Sequence, residues 1–325
     1  MSETGNIEAI AKLISGDIFK WFKWKSFPLR DTDWDCVNEH HKKKTHPSDV
    51  VFYYDDPYSG KCIYFNTDLK SYAKGSISSS SVGKALASLA LSAECANVSP
   101  SWHEKFIIDD NNFGTVIGLL FIYNHDDEFD KNLSEMIATI DFNRINIAED
   151  VKISVMDPLL IRRLLNTVVD MKKLVVDDIL PKNKYTFFYP DLVRARRFGS
   201  EWDQPASLEA LTAPWLIIKH KKTEENSDGY IIYYHSKGNT VEEFVYLIDA
   251  MSHYQMLLSN KSIRVRFTDA CPEATINFEK AKLEYLAMWG DDKFRKTRLK
   301  SIDAGHITQF ATKLSPLEIG MRQDD

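Results

Sequence analysis

Apolar residues along this chain recur at two periods, and the expected elements follow from them. Ile7, Ile10, Ala11, Ile14, Ile18, Trp21 and Phe22 repeat at helical spacing, which predicts an amphipathic helix over 7–25, interrupted at Ser15-Gly16. A β-branched and aromatic run over 50–54 is followed by a turn sequence, Asp55-Asp56-Pro57-Tyr58-Ser59-Gly60, and a return strand over 61–70. That is a hairpin. A serine-rich stretch over 76–81 leads into a helix over 82–96 whose alanines favour close packing on a sheet. The continuous apolar run over 115–123 suits a strand buried on both faces, and it ends in Asn124-His125-Asp126. A strand over 147–155 follows, and Asp157-Pro158 then opens a further helix.

The pattern breaks over 177–184, Asp-Asp-Ile-Leu-Pro-Lys-Asn-Lys. Beyond it, strands are expected over 185–189, 215–220, 230–234 and 263–267, with helices over 241–258 and 275–289. The expected organisation is therefore an α/β domain over 1–182, a mixed sheet flanked by helices, and an α+β domain over 183–325.

Composition narrows the setting. With 325 residues and 44% apolar content, two well-packed domains are affordable. A formal net charge of −6 excludes a generally basic nucleic-acid coat, so any such contact must come from local patches. Cys36, Cys62, Cys95 and Cys271 are scattered without paired spacing, and the opening MSETGNIE has no apolar signal core. A reduced, cytoplasmic setting is expected. No run approaches the ~20 apolar residues of a membrane span, so no membrane partner is expected.

The chemistry concentrates in the hairpin. Asp49 stands at the start of its first strand, and side-chain alternation puts Asp68 and Lys70 on one face of the second. Two carboxylates reached from neighbouring strands form the hard, oxygen-only donor set that Mg²⁺ or Mn²⁺ prefers. A lysine beside them can orient the attacking water, help to deprotonate it, or stabilise charge on a phosphate. The implied reaction is phosphodiester hydrolysis.

Pro47-Ser48-Asp49 followed by Asp68-Leu69-Lys70 resembles the PD-(D/E)XK nuclease motif, with Asp in the second acidic place and a serine inserted in the usual Pro-Asp pair. More narrowly, GDIFKWFKW, HKKKTHPSDVVF, TDLKSYAK and LLFIYNHD resemble the nuclease subunit of two-gene anti-phage defence systems of the GAPS type, carried by phage satellites. The resemblance covers roughly the first half of the chain and implies a restriction-endonuclease-like fold. It also implies a nucleic-acid substrate, DNA or RNA including tRNA, a second protein subunit and oligomerisation. In such a fold the first helix can offer another acid to the metal, and Asp17 is favoured over Glu8 for that place. A helix-capping role for Asp17 stays open.

Other residues divide between functional and structural readings. Lys20 and Lys23, interleaved with Trp21 and Trp24, can contact phosphates and bases, or can be the solvated edge of a buried aromatic face. Cys36, His40, His41 and His46 invite a zinc reading, but no second cysteine pairs with Cys36 and the spacing fits no common finger, so a structural zinc is not expected. The segment 30–46 is polar and irregular, and its part over 40–46, with Lys43, Lys44 and His46, reads as a basic loop beside the active site. Ser71, Lys74 and the serines over 76–81 are candidate substrate contacts, because the superfamily often places polar residues here near the substrate, while caps alone stay open for the serines. His125 serves a phosphate or a proton transfer, or simply caps a loop. In the C-terminal half, Arg194, Arg196, Arg197 and the cluster over 293–300 are surface charge or docking groups. No metal motif, phosphate loop or nucleophile elbow occurs there, so a recognition or partner-binding role is expected of that half. A catalytically silent scaffold that keeps the fold is the competing reading.

Overall fold

The computed structural model of the protein describes residues 18–126, 128–142, 145, 148–190, 202–289 and 292–309. The chain forms two compact units, the first running to Arg162 and the second beginning at Arg163.

The first unit is built on a five-stranded sheet in the order β1 (Lys25–Asp35), β2 (Thr45–Asp55), β3 (Cys62–Tyr72), β4 (Phe113–Asn124) and β5 (Ile153–Met156). The first three strands are antiparallel, and β4 and β5 continue the sheet in parallel. The hairpin forms as its sequence demands: Val50 faces Thr67 and Asp55 faces Cys62. Its turn is closed by Asp56, whose carboxylate accepts from the Ser59 amide at 2.8 Å, while Gly60 adopts φ 68°. Only glycine takes that backbone at no steric cost.

Helix α1 (Ser79–Ala96) begins at a reciprocal cap between Ser78 and Ser81. It lies close on the sheet. A Cβ built on Gly118 would meet Leu89 Cγ at 3.0 Å and Ala93 Cβ at 3.3 Å. Leu86 and Leu89 pack with Leu120 and Ile122, while Val51, Tyr64 and Val116 pack with Trp102 and Phe106 of α2 (Pro100–Phe106). A buried polar chain also crosses this region. Trp34 Nε1 donates to Ser48 Oγ at 2.9 Å, Ser48 donates to Asn66, and Asn66 Nδ2 donates to Ser92 Oγ at 2.7 Å. The short helix α3 (Leu133–Ala138) lies between β4 and β5.

Two expectations are corrected here. The helix expected to reach residue 25 has ended by Lys23, which sits at φ 62°. The Trp24 amide donates to Phe19 O at 2.9 Å, and the Trp24 ring stacks on Phe65 at 4.5 Å, which draws the chain into β1. The part of that helix before residue 18, Asp17 included, lies outside the described residues. The stretch expected to be irregular from residue 30 instead belongs to β1 up to Asp35, paired with β2.

The second unit carries another five-stranded sheet, β6 (Tyr185–Phe187), β7 (Trp215–His220), β8 (Gly229–Tyr234), β9 (Ser262–Phe267) and β10 (Asp303–His306). Strands β6, β7 and β8 are antiparallel, and β9 and β10 extend them in parallel. Helix α4 (Pro158–Val176) precedes this sheet. Residues 177–184 were the expected divide, yet the units separate within the first turns of α4. From Arg163 onward α4 is tied to the second sheet. Asp170, with its side chain 1% exposed, accepts from Tyr233 of β8 at 2.9 Å and from Arg266 of β9 at 2.5 Å. After α5 (Leu208–Thr212), α6 (Val241–His253) links β8 to β9, and α7 (Ala274–Trp289) with α8 (Lys293–Lys300) links β9 to β10. The second sheet thus repeats the connectivity of the first: three antiparallel strands, a helical crossover, a parallel strand, a second crossover and a last parallel strand. Arg194, Arg196 and Arg197 lie outside the described residues. Among the described residues no helix is long and apolar enough to cross a membrane.

Candidate active site

The acids of the hairpin meet where β2 and β3 run side by side. Asp49 lies within β2 rather than at its start, because the strand begins at Thr45. Its Oδ2 accepts a hydrogen bond from the backbone amide of Leu69 at 2.6 Å. Leu69 points into the core, 1% exposed, and alternation leaves its neighbours Asp68 and Lys70 together on the opposite face. Lys70 Nζ lies 2.6 Å from Asp68 Oδ1, with the two side chains 35% and 20% exposed. Asp49, Asp68 and Lys70 are therefore one electrostatic group.

Burial pushes the Asp49 carboxyl up to about 6; the Leu69 amide opposes this, Asp68 adds to it, and Lys70 draws it down. Burial also disfavours the Lys70 ammonium, but the pair with Asp68 outweighs it, so Lys70 stands above its usual value and holds its proton. Asp31 acts on Asp49 as well, raising its proton affinity from β1. Sequence reasoning missed this acid. Its signal was a polar residue in a segment read as irregular, and its backbone, at φ 45°, departs from ordinary strand geometry.

A hard divalent cation fits this group. Asp49 and Asp68 offer carboxylate oxygens only, and the raised Asp49 is a half-compensated buried acid whose ionised form a cation would favour.

The remaining expected residues are placed as follows. Ser71 is buried, and its Oγ lies 3.1 Å from His125 Nδ1. The Lys74 amide donates to the Asp126 carboxylate at 2.8 Å, and Lys74 Nζ lies 3.3 Å from Asp130. Lys43 Nζ donates to Ser88 Oγ at 3.2 Å, Lys44 is exposed, and the Lys44 carbonyl accepts from the Cys36 amide at 2.9 Å. Lys20 is exposed and Lys23 half-buried beside the buried Trp24. His46 departs from the expected basic surface. It is fully buried against Trp34, and burial, then Lys43, lowers it to about 4. It has no exposed atom for a phosphate. The inserted Ser48 also has a structural task, as the link between Trp34 and Asn66.

Residues 1–160 match the family model of the GAPS4 protein PD-(D/E)XK nuclease domain. No curated protein matches the chain.

Proposed function

Since residues 1–160 are a PD-(D/E)XK nuclease domain of the GAPS4 kind, as the sequence resemblance implied, we propose that this chain is a metal-dependent nuclease that hydrolyses phosphodiester bonds in DNA or RNA, tRNA included. The observation that carries the reading is the convergence of Asp49, Asp68 and Lys70 on adjacent strands of that domain. Asp49 and Asp68 hold Mg²⁺ or Mn²⁺, with Asp17 as a further ligand from the segment before Ile18. When bound, such an ion supplies Lewis-acid stabilisation of charge on the phosphate and acidifies a bound water.

Lys70 keeps its proton beside Asp68, so its role is that of a cation. It neutralises charge on the scissile phosphate and orients the water by donating to it, rather than accepting the water's proton. Asp49 is fixed by the Leu69 amide through one oxygen, which leaves its other oxygen for a ligand. Exposed cations of the first unit, Lys20, Lys43 and Lys44, supply backbone contacts for the nucleic acid.

The nuclease works in anti-phage defence with a second protein subunit, in the cytoplasm, and the half of the chain after residue 183 docks that subunit. The test is cleavage of DNA and of tRNA by purified full-length chain in Mg²⁺, alone and with the co-expressed partner. Metal-dependent products that vanish in Asp68→Ala support the reading. Equal products from wild type and Asp68→Ala overturn it.

A further inference from the structure

Four side chains far apart in the sequence converge beside the hairpin. Cys36 follows β1, His41 ends the helical turn Glu39–His41, His46 lies on β2 and Cys95 lies in the last turn of α1. One ligand atom from each falls within 4.8 Å of all the others. Cys36 Sγ is 3.7 Å from Cys95 Sγ and 3.7 Å from His41 Nδ1. His41 Nδ1 is 3.3 Å from Cys95 Sγ and 3.4 Å from His46 Nε2.

These separations have a common explanation. A tetrahedron with zinc–sulfur bonds of ~2.3 Å and zinc–nitrogen bonds of ~2.05 Å has edges of about 3.8 Å between sulfurs, 3.6 Å between sulfur and nitrogen and 3.3 Å between nitrogens. The four measured edges, 3.7, 3.7, 3.3 and 3.4 Å, each lie within about 0.3 Å of these values. As a nitrogen–nitrogen hydrogen bond, by contrast, 3.4 Å is long.

The surroundings fit as well. The far nitrogen of His41, Nε2, lies 3.3 Å from Glu94 Oε2, and Asn38 Nδ2 donates to Glu94 Oε1 at 2.8 Å. A carboxylate on the outer nitrogen of a ligating imidazole fixes its tautomer and aims its lone pair at the metal. His40, beside this set in sequence, is exposed and takes no part.

We propose that Cys36, His41, His46 and Cys95 bind a structural zinc ion, separate from the acids of the candidate active site. Two sulfurs and two imidazoles in tetrahedral array select zinc over the hard cations. Four protein ligands close its coordination, so the site anchors and does not catalyse. It clamps the end of β1 and the start of β2 to the C-terminal end of α1, and His46 is three residues before Asp49 on β2. Binding releases the two thiol protons to solvent.

Elemental analysis of the full-length chain, purified without chelator, tests this independently of nuclease activity. One equivalent of zinc per chain is expected in the wild type and in Asp68→Ala, and its loss in Cys36→Ser/Cys95→Ser. Should that variant not fold, two measurements on the wild type decide. Mercurial titration of the thiols should release the zinc stoichiometrically, and cobalt exchange should give the visible bands of a tetrahedral thiolate site. A wild type that holds no zinc and gives no tetrahedral cobalt spectrum after reconstitution overturns the proposal. So does zinc that persists in both Cys36→Ser and His46→Ala, or a Cys36–Cys95 disulfide found in the protein as purified.

Discussion

The Asp49 carboxylate is held by the backbone amide of Leu69 at 2.6 Å, so an acid of one strand is tied to the strand that carries the other acid and the lysine. This bond sets the position of Asp49 without using a second side chain.

Removing any member of the group should remove activity without unfolding the chain. Asp49→Ala, Asp68→Ala and Lys70→Ala each take away a partly exposed polar group and no core atom. We expect cleavage to fall by at least ~10²-fold in Lys70→Ala and further in the acids, with circular dichroism unchanged. Initial rates on a labelled substrate measure it, and near wild-type rates in a double variant would dismiss the assignment.

Asp49→Asn should instead stabilise the protein in the absence of divalent metal. Folding raises Asp49 from 3.8 to about 6, so the folded state binds the proton more tightly than the unfolded one. That stabilisation is complete below about pH 3.8 and is lost as pH rises through about 6. Two units correspond to about 3 kcal/mol. Asn mimics the neutral form, so the variant should gain up to that amount at about pH 8 and nothing near pH 3. Urea denaturation at several pH values, in chelator, is the measurement, and a gap independent of pH would contradict it.

Metal dependence should separate by chemistry. Brief treatment with a chelator should stop cleavage, and Mg²⁺ or Mn²⁺ should restore it where zinc does not, because the donors at Asp49 and Asp68 are oxygens. Full activity in a chelated preparation would remove the metal from the mechanism.

Asn66→Ala should cost stability without touching the acids. It removes the acceptor of the Ser48 hydroxyl and of Trp102 Nε1 and the donor to Ser92 Oγ in a dry interior, at about 1–3 kcal/mol. The denaturation midpoint should fall with the slope unchanged, and an unaltered midpoint would show that water replaces the amide.

Docking of the second subunit should map to the C-terminal half. Cross-linking mass spectrometry of the co-purified full-length chains should place partner cross-links after residue 183, at lysines such as Lys237 and Lys293. Cross-links confined to the first unit would move the docking surface there.

The hairpin and the buried strand were legible because their burial pattern is written as continuous runs, and alternation alone put Asp68 and Lys70 on one face, although Asp49 lies four residues further into its strand than expected. Strand β1 was not, since Lys25–Asp35 is an edge strand, mostly exposed or half-buried, in which Trp34 alone is buried. Three members of the Cys/His cluster, Cys36, His41 and His46, stood together in the sequence, but the zinc reading was set aside because its second cysteine, Cys95, could not be seen. Cys95 is 59 positions from Cys36, and only the packing of α1 on the sheet brings them together. Local spacing carries no trace of a ligand delivered by tertiary structure. The buried His46 misled for the same reason, because three flanking lysines made it read as surface.

The two sheets are also separate in time. Among the described residues, every strand of the first lies between Lys25 and Met156, and the first strand of the second begins at Tyr185. Neither waits for a strand from the other. During synthesis, which proceeds from the N-terminus with domains folding as units, all the strands that align Asp49, Asp68 and Lys70 leave the ribosome before any strand of the second sheet does. The nascent chain can therefore assemble its acids first, and any contact made through the second sheet can begin only after the strands from Tyr185 to His306 have been made.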